Sequence, residues 1–124
     1  MRATHSKASP ALAHCPVDLM RLLGHVYLRF GQHARAGVLF DVLHDLDPLD
    51  ADAARSLAFS RLQEGQPAAA LAPLQHLLDH GDTHAVTHVL HAQALLGLGR
   101  TADSALAMRA YVAARALPSN TERP

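Results

Sequence analysis

Glycines recur at positions 31, 65 and 99, a spacing of 34 residues held twice in a chain of 124. The flanking words agree: Phe30-Gly31-Gln32, Glu64-Gly65-Gln66 and Leu98-Gly99-Arg100. A fixed period of this length marks a structural unit copied end to end, and it outranks any single motif. Carried outward, the period aligns Gly24, Ala58 and Ala92 ahead of the glycines and Ala36, Ala70 and Ser104 behind them. Further on it aligns Phe40, Leu74 and Met108. Small residues at two fixed places in each unit predict helix pairs whose members cross closely. The recurring glycine predicts a left-handed residue at the end of the first helix of each pair, where a Cβ is penalised.

The pattern predicts helices near 17–30, 34–46, 51–64, 67–80, 84–98 and 101–117. Pro67 suits the first turn of its helix, where a missing N–H is harmless. Asp50, then Asp82 or Thr83, then Thr101 are the expected N-caps. Pro73 falls inside the fourth helix and predicts a kink on its outer face. The first unit reads Met20-x2-Leu23-Gly24-x2-Tyr27, then Ala36-x3-Phe40, then Pro48. This resembles the tetratricopeptide repeat, with Met where Trp is usual. The expected fold is therefore all-α, with three helix-turn-helix units (17–50, 51–84 and 85–117) stacked in a short right-handed superhelix. Residues 1–16 are expected to form a flexible arm and 118–124 a flexible tail.

Composition narrows the function. Lys plus Arg equals Asp plus Glu, eleven of each, so the basic surplus that phosphate contacts require is missing and nucleic acid is not an expected partner. No apolar run is long enough to cross a bilayer, so membrane insertion is not expected. The single Cys15 has no intramolecular disulfide partner, which fits a reducing compartment.

Catalysis is not expected either. Asp45, Asp47, Asp50, Asp52, Asp79 and Asp82 fall where Asp caps helices and closes turns, not as an acid/base pair. No glycine-rich loop precedes a Lys, and no cofactor is implied. Cys15 and His14 are neighbours only in sequence, which does not hold a nucleophile against its base. The ten histidines are the unusual count. His84, His88 and His91 share a helical stripe, as do His76 and His80, and such spacing is how helices present imidazoles to zinc. Without an interleaved Cys, Asp or Glu, the metal reading stays an alternative, as does a pH-sensitive edge.

The first helix of each unit is expected to line the inner surface of the stack. In phase, that surface takes Arg21, His25 and Leu28 from unit one, Arg55, Phe59 and Leu62 from unit two, and Val89, Gln93 and Leu96 from unit three. Arg29, Gln63 and Val86 stand beside them. An apolar floor of Leu28, Phe59, Leu62, Val89 and Leu96, with Arg21 and Arg55 along one side, suits an amphipathic partner segment carrying acidic residues. The last helix carries Leu106, Met108, Tyr111, Val112 and Leu117, more apolar residues than one buried face needs. Only seven residues follow it, too few for a polar capping helix. Three units are the minimum for a stable stack, so such an array is expected to gain stability from a bound partner or, alone, from self-association.

The segment from Gly31 to Pro48, with a glycine turn, a basic residue and Ala ahead of an apolar–Asp helix ending in Leu-x-Pro, resembles the first-repeat signature of the YscY-like group of type III secretion chaperones. The likeness extends through 55–63 and 95–111 and covers roughly 17–115. It implies a bacterial cytoplasmic chaperone without enzymatic activity. Its partner would be a small early-exported substrate of the YscX type, held as a heterodimer and delivered to an export-gate component. Related groups hold needle subunits or translocators. A general tetratricopeptide scaffold and a histidine-rich metal-binding protein are the other readings.

Overall fold

The computed structural model describes residues 10–116, with side chains from residue 16 onward. The described chain is all helical: α1 (Pro10–Arg29), α2 (His33–Leu46), α3 (Ala51–Gln63), α4 (Pro67–Asp79), α5 (Ala85–Gly97) and α6 (Thr101–Ala116). Each helix packs against the next, and α3 also meets α5.

The turns inside the three helix pairs are closed in the same way. Gly31, Gly65 and Gly99 take φ of +74°, +74° and +79°. At each, the N–H three residues past the helix reaches back to a carbonyl in its last turn: Gln32 to Tyr27 at 2.8 Å, Gln66 to Arg61 at 2.9 Å and Arg100 to Leu95 at 2.9 Å. This is the Schellman closure, which satisfies carbonyls that the helix end leaves orphaned. Donors and acceptors alike repeat every 34 residues. The following helices start in register too, since the carbonyls of Gln32, Gln66 and Arg100 accept from Ala36, Ala70 and Ser104.

The connections between pairs differ. Asp47 is extended (φ −147°, ψ 92°), as the residue before Pro48 must be, and its carboxylate accepts from the Leu49 N–H at 3.1 Å. The second connection uses Gly81 at φ +86°, with the Asp82 N–H returning to Leu77 at 3.0 Å.

Small residues lie where helices cross. A Cβ built on Gly24 would stand 2.7 Å from the Phe40 ring, so α1 and α2 approach through hydrogen alone. Ala36, Ala58 and Ala70 are wholly buried and Ala92 is nearly so. Phe40 anchors one cluster with Leu43, Ala53 and Leu57, against which Met20, Tyr27 and Leu28 pack. Burying an aromatic of that size stabilises by about 1.5–3 kcal/mol. Leu74 anchors a second cluster with Ala58, Leu90 and Ala94. The third is smaller, built from Ala92, Leu95 and Ala107. Met108, in phase with Phe40 and Leu74, is exposed.

Four expectations need correction. Helix α1 spans Pro10–Arg29, so residues 10–16 are helical and the helix does not start at the expected residue 17; Ala11-Leu12-Ala13 are strong helix formers. Residues 1–9, Leu117 and the tail 118–124 lie outside the described residues. The N-cap of α5 is His84, whose Nδ1 accepts from the Val86 N–H at 3.1 Å, because the Asp82 carboxylate is engaged elsewhere. Thr101 is the first helical residue, not a cap. Pro73 is buried inside an uninterrupted α4 and does not lie on its outer face. Asp50 does cap α3, accepting from the Ala53 N–H at 3.1 Å.

Candidate partner-binding groove

Helices α1, α3 and α5 place most of the expected groove residues in three shallow hollows. The first, about 230 Å³, is lined by Leu28 from α1, Arg55 and Phe59 from α3, and Val86 and Leu90 from α5. The second, about 470 Å³, brings Leu62 and Gln63 of α3 against Gln93 and Gly97 of α5. The third, about 240 Å³, joins Val89, Gln93 and Leu96 to Met108 of α6. Gln93 belongs to both the second and the third. Phe59 and Leu62 are half-buried against the second core cluster. Leu96 is 59% exposed and Val86 43% exposed, so these two are the freest apolar groups.

Arg21 and His25 do not line these hollows. The Arg21 guanidinium donates to Asp50 at 2.6 Å and to Asp52 at 3.0 Å. His25 Nε2 lies 3.2 Å from the same Asp52 carboxylate, and its ring meets Phe40 edge-on at 5.0 Å. Arg55, in phase with Arg21, does the same one unit on, with Asp82 at 3.3 Å and the Thr87 hydroxyl at 3.3 Å. Thr87 in turn donates to Asp82. Each arginine therefore ties its helix to the start of the next odd-numbered helix. The expectation that Arg21 and Arg55 are free to meet a partner's acids is corrected: both charges are already paired within the chain.

These pairs shift two groups. Hydrogen bonding to Asp50 raises the Arg21 pKa against the opposing effect of burial. Burial pushes the Asp50 carboxyl up, but the Arg21 guanidinium and the backbone N–H groups of Ala53 and Asp52 outweigh it, and its pKa lies below the ordinary 3.8. The charged residues that line these hollows, Asp52 and Arg55, are both paired within the chain, so the hollows are mainly apolar in capacity.

The histidine stripe separates. His84 caps α5 through its ring, while His88 and His91 line a cleft of about 390 Å³ against Leu71 and Leu78 of α4 and Leu106 of α6. Burial, then the neighbouring His88 and Arg100, lower the His91 pKa, with Asp103 opposing. Among the described residues no three His, Cys, Asp or Glu side chains are arranged to hold a metal ion. Another contact was not foreseen: His44 of α2 meets His76 of α4 edge-on at 6.0 Å, and His76 stacks on His80 at 4.3 Å. Only the His76–His80 spacing was visible in the sequence, because His44 comes from a different unit.

No family model matches the chain, and no curated protein does. Among the described residues no helix is long and apolar enough to cross a membrane.

Proposed function

We propose that the chain is a three-repeat tetratricopeptide protein that binds a partner polypeptide in the α1–α3–α5 groove. Within that reading it acts as a bacterial cytoplasmic chaperone of the YscY-like type, without catalysis or cofactor, holding a small type III secretion substrate. The repeat assignment draws on the 34-residue register shared by the turn closures, helix starts and small crossing residues. The observation that carries the binding reading is the row of hollows on one set of helices, with Leu96 and Val86 left exposed at their rims. Apolar groups placed in concave surface are the usual anchors for an amphipathic helix. The partner contributes leucine-like side chains to the hollows, and a standard interface would hide about 800 Å² on each side.

The test is co-expression with the small polypeptides encoded beside this chain, followed by co-purification. Val86→Asp/Leu96→Asp is the informative double variant, since both residues are exposed and their replacement leaves the core clusters intact. Wild type is expected to retain one small protein that the double variant loses, with the helical circular-dichroism spectrum unchanged. Equal retention by both would refute the groove assignment.

A further inference from the structure

Helix α1 carries a second apolar face that no element among the described residues covers. Leu19, Leu22, Leu23, Val26 and Phe30 are all exposed, Leu22 by 61% and Phe30 by 76%. At 3.6 residues per turn the five fall within about 100° of the helix circumference. Leu28, which packs on the core, lies nearly opposite. The helix is thus apolar on two sides, one filled by the Phe40 cluster and one turned outward.

The charges beside this stripe are arranged for a copy of itself. Asp18 and Arg29 are both exposed and belong to none of the ion pairs among the described residues. They flank the same edge of the stripe, next to Leu22, and stand about three turns apart. When two identical helices pair antiparallel about a two-fold axis, like flanks meet, so Asp18 of each copy falls opposite Arg29 of the other. In a parallel pair unlike flanks meet and the complementarity is lost. The axis passes between Leu23 and Gly24, midway between the two charges, which sets Leu22 near Val26 of the second copy and Leu19 near its Phe30.

The geometry points to reversible homodimerisation through an antiparallel α1–α1 pair, distinct from the groove and independent of what the groove binds. The stripe from Leu19 to Phe30 runs only about 16 Å at a rise of 1.5 Å per residue. That is less than a standard interface requires, so the dimer dissociates on dilution.

Sedimentation velocity on the full chain, over concentrations up to about 500 μM, tests this directly. Wild type is expected to shift from monomer to dimer across the series. Leu22→Glu, which sets a carboxylate in the apolar seam of both copies, is expected to raise the dissociation constant about 100-fold with an unchanged helical spectrum. Asp18→Arg or Arg29→Asp alone places like charges opposite each other and weakens the dimer several-fold at low salt, whereas the combined exchange restores it. A wild type that stays monomeric throughout overturns the proposal and leaves the stripe to a foreign chain. A dimer indifferent to Leu22→Glu, or a double exchange that fails to restore association, overturns it equally.

Discussion

The Arg21 guanidinium lies 2.6 Å from the carboxylate of Asp50, the residue that caps α3. One carboxylate thus does two jobs, with Oδ1 taking the Ala53 N–H and Oδ2 taking the arginine. The cap fixes where α3 begins, and the arginine fixes α1 to that beginning.

The two jobs separate by substitution. Asp50→Asn keeps a good N-cap and loses the charge, so it is expected to cost at neutral pH only the worth of a part-exposed ion pair, up to about 1 kcal/mol. Asp50→Ala loses the cap as well and is expected to cost about 1 kcal/mol more. Because the folded Asp50 pKa is depressed, its contribution is present above the unfolded value of 3.8 and fades as pH falls through the lower folded value. Urea midpoints of wild type and Asp50→Asn are expected to converge on acidification below about pH 4. A constant gap down to lower pH would contradict the pairing.

Gly24 gives a sharper test of packing. In a helix interior Ala outranks Gly by about 1 kcal/mol, yet here the added Cβ meets the fully buried Phe40 ring at 2.7 Å. Overpacking is the larger effect, so Gly24→Ala is expected to destabilise by about 1–3 kcal/mol. In a Phe40→Leu background the same change is expected to cost less, which a double-mutant cycle of denaturation midpoints would reveal.

At Gly81 the constraint is the backbone alone. Nothing lies within 4 Å of a Cβ there, but φ is +86°. Gly81→Ala is expected to lower stability by about 1 kcal/mol, and Gly81→Asn by less, since Asn tolerates the left-handed region. Equal thermal midpoints for glycine and alanine would show that the turn relaxes.

Acidification reaches His91 before the carboxylates. Its folded pKa is lowered by burial and by His88 and Arg100, against Asp103, so below the ordinary value of 6.5 the unfolded chain takes up the proton first and stability falls with pH. His91→Gln is expected to flatten the pH dependence of the urea midpoint just below 6.5, with His88 left in place. An unchanged slope would exclude His91 as its source.

Much of this architecture was legible because it repeats. Apart from the start of α1, and leaving aside the end of α6 at the limit of the described residues, every helix end falls within one residue of its expected place, since a left-handed glycine and a small crossing residue are local requirements that leave a local mark. The earlier start of α1 was not legible because Pro16, of a type that removes a backbone hydrogen bond in a helix interior, is accommodated inside α1. His84 was missed as a cap because Asp82 is the better capping type, and only the fold shows its carboxylate bound by Arg55 and Thr87. Phase placed Leu28, Arg55, Phe59, Leu62, Val89, Gln93 and Leu96 beside the hollows, but it misplaced Arg21, because the acids that pair with it lie 29 and 31 residues away. The cleft around His91 needs α4 and α6 to converge on α5, which periodicity alone does not place.

Since every helix leans chiefly on its sequence neighbour, melting need not be all-or-none along the chain. Amide exchange should be slowest in α3, which meets α5 as well as both its neighbours, and quicken toward α6, whose cluster is the smallest. Such a gradient would let the last pair loosen and reseat while the centre holds, giving this short array a yielding end beside a firm middle.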